Sequence, residues 1–494
     1  MRRMRLSSLS TRHAPASMEN MSSEYSIPKK VCVVGAGLSG LAAARELLRE
    51  GLDVAMLEQR GGVGGQWLYD AATDGGDLLG EAGVTSSVYA SLRLNSPRES
   101  MDFSDFPFLP SMDGSGDSRR FPVHGEFLKY IKSFCDESGL INAVRLNTRV
   151  LRVAMAPPRD GSLQGWTVRS KHGEVETEEV FDAVVVASGH FSKPRLPAID
   201  GMDKWKRRQL HCHSYRVPDS FHGEVVVIVG CSVSGKEIAL ELRHVAKEVH
   251  LSAKSTEAAD MTLAMSKMLA RHDNLHLHPQ IDRLYEDGRV VFDDGSCVVA
   301  DTVMYCTGYA YSFPFLETEG HVTVDDNRVG PLFEHVFPPA LAPSLSFIGI
   351  PRKVVAPWFF EVQARWIAQV LSGRRALPPE EEMVRSVEEY YREREAAGVP
   401  VKYTHDIGGA DPLKMYEYGQ KYCDFPRIED WKKEAFLSTM RHMMDDLETF
   451  RDRVDDDSDL VRECLQRWHC SSPAAPAAAA AQTAMAMASS LTLN

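Results

Sequence analysis

The chain has 494 residues, 44% of them hydrophobic and 25% charged, with a formal net charge of −13. That length is enough for two or three domains with substantial cores, and the residue usage is that of ordinary globular proteins. The acidic balance argues against a nucleic-acid partner, and no apolar run approaches the roughly 18 residues of a transmembrane helix.

Nine cysteines are scattered along the chain with no C-x-x-C spacing. This points to a reducing compartment, the cytoplasm, and to no disulfide framework. It also removes the dithiol that a flavin disulfide reductase would use. No metal centre is expected. Residues 1–27 read as an unstructured extension. Arg2, Arg3, Arg5 and Arg12, with no acid before Ser17, leave an organellar transit peptide as the alternative. Residues 468–494 read as a disordered Ala-rich tail.

Between these ends, the first element is an apolar run over residues 31–34, the pattern of a strand buried on both faces. Gly35-x-Gly37-x-x-Gly40 follows at once, and residues 41–48 continue as strong helix formers. The three glycines give a tight turn, close approach of backbone to a pyrophosphate and close helix–strand packing. The helix N-terminus offers free N–H groups and a positive dipole end. A second strand is expected over residues 53–57. It ends in Glu58, whose carboxylate can accept both hydroxyls of an unphosphorylated ribose, as in FAD or NAD. Gly61, Gly62, Gly64 and Gly65 then let backbone lie against a flat or charged ligand. Gln66 and Trp67 follow, and the tryptophan argues for a packed loop.

A second fingerprint begins with the strand pattern over residues 225–229 and reads Gly230-x-Ser232-x-x-Gly235. Its middle glycine is replaced by Ser232, whose Cβ is expected to crowd a pyrophosphate. The following strand, residues 248–253, ends in Lys254-Ser255. A lysine and a hydroxyl suit a 2′-phosphate and therefore NADP. Each fingerprint is echoed downstream by an acid, an apolar strand and a hydroxyl-Gly-aromatic triplet, at residues 182–190 and 301–309. Two doubly wound units follow from this repetition, and two dinucleotides on one chain imply electron transfer between them. Trp358, Phe359, Val362, Trp366, Ile367 and Val370 fall at helical spacing and read as a core-facing helix.

Several motifs together resemble those of the flavin-containing monooxygenases. Trp205-x-Arg207-x-x-x-His211-x-x-x-Tyr215 is similar to that family's F-x-G-x-x-x-H-x-x-x-[YF] signature, with Trp205 for Phe and Arg207 for Gly. Related Baeyer–Villiger enzymes end the signature in Trp-Pro, where this chain has Tyr215-Arg216. The loop from Leu94 through Asn95 to Pro107 resembles the family's Asn-bearing loop, and Cys306-Thr307-Gly308-Tyr309 its C/A-T-G-Y motif. Residues 307–373 are especially similar to the plant S-oxygenating, glucosinolate S-oxygenase-like branch.

The resemblance implies an α/β fold of two Rossmann-like dinucleotide-binding domains. The NADP domain, residues 195–328, is inserted into a discontinuous FAD domain of residues 28–194 and 329–467. It implies an NADPH- and FAD-dependent enzyme that moves one oxygen atom from O2, through a C4a-hydroperoxyflavin, to a small thioether or amine. No general base of strongly shifted pKa is required. Fingerprints and resemblance together assign FAD to Gly35, Gly37, Ser39, Gly40, Glu58, Gly65, Gln66, Trp67, Val150, Ser188, Thr307 and Gly308. They assign NADP to Gly230, Ser232, Ser234, Gly235 and Lys254, with His211 and Tyr215 structural or NADP-orienting, and they make Asn95 the catalytic candidate. The alternatives are N-oxygenation, auxin-forming decarboxylation of indole-3-pyruvate, and a non-catalytic flavin-binding redox sensor. The last is weakest, because two intact sites and Asn95 are hard to explain without turnover.

Overall fold

The computed structural model describes residues 30–72, 76–110, 116–157, 165–256, 262–407, 415–453 and 458–470. The expectations for residues 1–27 and for the tail beyond residue 470 lie outside the described residues.

Two five-stranded sheets, each parallel throughout, organise the chain. The first runs from edge to edge as Leu345–Phe347, Ala183–Val186, Lys30–Val34, Asp53–Leu57 and Val144–Arg145. The second runs as Leu275–His278, Glu248–Ser252, Val225–Val229, Thr302–Tyr305 and Arg208–His211. All strands of the second lie in sequence between Ala183–Val186 and Leu345–Phe347 of the first. One Rossmann-like unit is thus inserted into another. The central strands are almost wholly Val, Ile and Cys, and Val31, Cys32 and Val33, like Val226, Val227 and Ile228, are fully buried. Such β-branched runs suit a sheet covered on both faces. Where the chain leaves the first unit, Lys193–Pro194 pairs antiparallel with Tyr309–Ala310, where it returns.

The helix Leu38–Arg49 buries Leu41, Ala42, Ala43, Ala44 and Leu47 completely. Its three alanines allow close approach of Ala356–Leu371, the helix whose Trp358, Phe359, Val362, Trp366, Ile367 and Val370 are all buried. Arg45 crosses this interface with Nη2 2.7 Å from Glu361 Oε1, and its guanidinium lies over the Phe134 ring at 4.6 Å. The last helix, Asp459–Cys470, takes in residues 468–470, which the sequence pattern assigns to the tail.

Two smaller sheets were not legible in the pattern. One comprises Leu316–Glu317, Thr148–Met155, Trp166–His172 and Val175–Phe181; the other is the antiparallel ribbon Ile281–Leu284, Arg289–Phe292 and Cys297–Val299. Val175–Phe181 is VETEEVF and mostly exposed. Its acidic run lacks the alternation that marks a strand from sequence.

Candidate active site

Both glycine-rich turns are built by the same device. Gly35 has φ +104°, and a Cβ there would meet the Ala187 carbonyl oxygen at 2.7 Å; Gly230 has φ +109°, and a Cβ would meet the Cys306 oxygen at 2.5 Å. In each unit the closing strand therefore ends against the first glycine of the turn, and only glycine fits. A Cβ on Gly40 or Gly235 would strike the carbonyl of Gly35 or Gly230, which brings each helix tight against its own turn.

Around the first turn, Glu58 is buried and ties the loop together. Its Oε2 accepts from Ala36 N–H at 2.8 Å and its Oε1 from Arg60 N–H at 2.8 Å. Each oxygen keeps a lone pair for a further donor. The second glycine-rich loop folds over the turn, so that a Cβ on Gly37 would lie 3.4 Å from Gly65 Cα. Gln66 and Trp67 are half-buried in the short helix Gly65–Trp67, and the Trp67 ring meets Phe127 edge-on at 4.8 Å. Gly37 caps Leu38–Arg49 without a side-chain hydrogen bond, which leaves the first N–H groups of that helix for a ligand. Ser39 is buried next to Gly349, and the Ser188 hydroxyl is buried with no partner among the described residues. His190 Nδ1 donates to the Gly349 carbonyl at 2.9 Å, and burial pulls its pKa down to about 4, so it is neutral. Val150 lies apart, half-buried on Thr148–Met155 of the four-stranded sheet.

Around the second turn, Ser232, Val233 and Ser234 are exposed at the start of Val233–Leu242. The Ser232 hydroxyl makes no capping bond. Lys254, exposed just past Glu248–Ser252, makes no hydrogen bond or ion pair with the described residues.

The signature residues hold the second unit together. His213 N–H donates to His211 Nδ1 at 3.2 Å, which places the proton of His211 on Nε2, 3.1 Å from the Gly308 carbonyl. Thr307 donates its hydroxyl to the Arg195 carbonyl, and Arg195 N–H donates to Gly308 at 2.9 Å. Thr307 and Gly308 therefore sit at the junction of the two units, after the second sheet's closing strand. Tyr215 is buried and donates to Glu241 Oε2 at 2.7 Å, which anchors Val233–Leu242. The two departures from the signature also find structural places. Trp205 is buried against the ribbon core. Arg207 lays its guanidinium over Gly288 and donates to the Ala300 carbonyl at 2.8 Å and the Asp287 carbonyl at 3.0 Å.

Asn95 is exposed on the loop after the bridge Arg93↔Val123 and makes no hydrogen bond to a described residue. Its loop is held from the far end of the chain. Arg451 Nε donates to the Leu94 carbonyl at 2.9 Å while its Nη2 pairs with Glu237, on the helix of the second turn. Tyr89 also donates to Glu237, and Ser91 to Glu241 at 2.7 Å. Sequence reasoning missed Glu237, Glu241 and Arg451, because partners 148 to 357 positions apart leave no local pattern. It also missed a thiol pair. Adjacent parallel strands bring Cys212 next to Cys306, directly behind Gly230 and Gly235. The hydrogen bond between the two thiols pulls Cys212 down and pushes buried Cys306 up.

The chain matches the Flavin-binding monooxygenase-like family over residues 28–266 and 263–409. It is 56% identical over 449 residues to Flavin-containing monooxygenase FMO GS-OX-like 8 of Arabidopsis thaliana, covering 89% of this chain and 95% of that protein. It is 44% identical to Flavin-containing monooxygenase FMO GS-OX4 of the same plant, covering 88% and 93%. Among solved structures it superimposes on S-allyl-L-cysteine S-oxygenase from Allium sativum with a TM-score of 0.82 and 43% identity, covering 89% of this chain and 98% of that one. Two Rossmann-like units, one inserted into the other, the signature at His211 and Tyr215 and this likeness along nearly the whole length lead to one conclusion: the chain belongs to the flavin-binding monooxygenase family and is a flavin-containing monooxygenase.

Proposed function

We propose that this enzyme uses NADPH and FAD to place one oxygen atom from O2 on the sulfur of a small thioether. The observation that carries the choice of sulfur is the likeness to S-allyl-L-cysteine S-oxygenase across 98% of that chain. In this reading, residues 28–194 and 329–467 hold FAD and residues 195–328 hold NADPH. Glu58 accepts the ribose hydroxyls of FAD, the uncapped start of Leu38–Arg49 faces its pyrophosphate, and the unpartnered Ser188 hydroxyl supplies a donor nearby. The exposed Ser232 and Ser234 receive the phosphates of NADPH, and the unpaired Lys254 its 2′-phosphate.

When bound, the flavin supplies the transfer of electrons from NADPH to O2 and of oxygen to a soft nucleophile. The protein contributes orientation and dryness. The Asn95 amide donates hydrogen bonds to an oxygen at the flavin and to a cofactor carbonyl without bringing an acidic proton. Trp67, packed on Phe127, would help shield a bound flavin from water, which would divert reduced oxygen to hydrogen peroxide. His211 and Tyr215, committed to Gly308 and Glu241, position the second unit and transfer no proton.

The test is turnover of the purified enzyme with NADPH, O2 and S-allyl-L-cysteine, with a tertiary amine and indole-3-pyruvate in parallel. A product one oxygen heavier than the thioether, formed with matching NADPH consumption, is expected. Turnover of the amine or the keto acid with none of a thioether panel would overturn the reading.

A further inference from the structure

At the outer edge of the second sheet, Glu248 and His250 stand two residues apart on Glu248–Ser252. His276 and His278 stand two apart on the edge strand Leu275–His278. Side chains two apart on a strand share a face, and the register sets His250 against His276. The group gathers on the face that meets the antiparallel ribbon, where the His278 ring stacks on Phe292 at 4.1 Å. Nitrogen and oxygen atoms of Glu248, His250 and His276 all lie within 4.8 Å of one another.

A hydrogen-bond chain fixes the tautomers. The Ser296 hydroxyl has a single proton and gives it to Asp294 Oδ1 at 2.6 Å. Ser296 Oγ can then only accept, so His278 Nδ1 donates to it at 3.3 Å. His278 Nε2 is left as an acceptor and takes the proton of His250 Nδ1 at 3.0 Å. His250 therefore turns the lone pair of Nε2 toward Glu248 Oε2, 3.2 Å away. Two acceptors at that distance repel unless a cation lies between them. The remaining carboxylate oxygen, Oε1, looks toward exposed Lys247 at 3.9 Å, which leaves Oε2 for the cation.

We propose that Glu248, His250 and His276 bind a divalent first-row transition-metal ion of the zinc class, with His278 as the positioning residue for His250. Imidazole and carboxylate suit such ions, and a metal-bound histidine characteristically donates its second nitrogen to an orienting partner, as His250 does to His278. Ligand atoms sit at about 2.0–2.2 Å from zinc. His276, half-buried with its ring stacked 4.7 Å from that of His250, turns about its side-chain torsions to close the last of the gap when the ion binds. The ion joins the two outer strands on the far side from the glycine turn, roughly 13 Å of strand from Lys254 at about 3.3 Å per residue.

The full-length flavin-loaded enzyme, stripped with a chelator, is titrated with Zn2+ against a competing chelator. One Zn2+ per chain is expected, with a raised melting temperature. Glu248→Gln and His276→Gln, both at half-buried positions, should each weaken binding at least tenfold while flavin content and NADPH oxidation stay unchanged. His278→Ala should weaken it by about 10–100-fold, the usual range for an orienting partner. Co2+ in the same site should show no thiolate charge-transfer band. Absence of Zn2+ binding, unchanged affinity in both Gln variants, or a thiolate band placing the ion on cysteines would each overturn the proposal.

Discussion

Ser232 stands where the first fingerprint has Gly37, and the two positions meet different surroundings. Gly37 is pressed by the backbone of Gly65, whose own Cβ would lie 2.9 Å from Gly37 Cα. Ser232 is exposed, with an ordinary φ of −92°, so a side chain there costs no backbone strain and leaves a hydroxyl free for phosphate. The nearby Lys254 carries the cofactor prediction. Lys254→Ala should raise the KM for NADPH at least tenfold, about 1.4 kcal/mol, and leave NADH within twofold; steady-state kinetics with both nucleotides would decide, and an equal rise for the two would reject the 2′-phosphate contact. Asn95→Ala should keep NADPH oxidation but lower the sulfoxide formed per NADPH about tenfold, the remainder being hydrogen peroxide. A peroxide assay beside product analysis reads this split, and unchanged coupling would remove Asn95 from the oxygen-handling role.

The helices Leu38–Arg49 and Ala356–Leu371 show how an element depends on a distant partner. Glu361 is fully buried, yet it accepts from Arg45, from Ser104 N–H at 2.8 Å and from the Ser104 hydroxyl at 2.7 Å. It thereby fixes the end of the Asn95 loop to the core under the first turn. Removing one partner of a buried pair leaves the other charge unmet. Glu361→Ala should cost about 3–5 kcal/mol in urea unfolding, with Glu361→Gln losing less because it still accepts from Ser104. A loss below 1 kcal/mol would show that water or Asp105, 2.7 Å from Arg45 Nη1, takes over the charge. The apolar spacing of Ala356–Leu371 was legible from sequence. Glu361 amid that spacing was not readable as a clamp, since its partners come from 257 and 316 residues away.

At the scale of the molecule, the chain beyond the second unit returns to brace it. Arg271 forks onto Asp446 at 2.9 and 2.7 Å, Lys267 reaches Asp445 at 2.6 Å, and His272 meets Glu448 at 2.8 Å. With Arg451, these contacts set how the inserted unit sits over the Asn95 loop. The return segment also carries an acid-sensitive pair. Val329 N–H donates to His405 Nε2 at 2.9 Å, so His405 Nδ1 donates to His335 Nδ1, also at 2.9 Å. Burial holds His335 down to about 4 and His405 well below its usual value. Unfolded histidine takes up its proton near pH 6.5, so below that pH the unfolded chain binds more protons than the folded one. The stability from this pair is complete above about pH 6.5 and is lost as pH falls toward 4. Urea midpoints should decline from pH 7 to 4.5, and less steeply in His335→Gln; an identical slope in that variant would exclude the pair as the cause.

Local chemistry alone determined the two strand–glycine–helix turns, the strands ending near Glu58 and Lys254 and the buried face of Ala356–Leu371. Each depends on residues within about 20 positions of one another, where periodicity and glycine placement act directly. The same was true of the two-unit fold, because the fingerprints and their closing strands repeat in order. Only the tertiary structure decided what lies across the gaps. It joined Arg451 to Leu94 and Glu237, set Cys212 beside Cys306, and faced His250 toward Glu248 and His278. Those contacts arise from strand register and from a C-terminal segment folding back over an inserted unit. Such closures are set by packing of the whole chain, and no local run of residues encodes them.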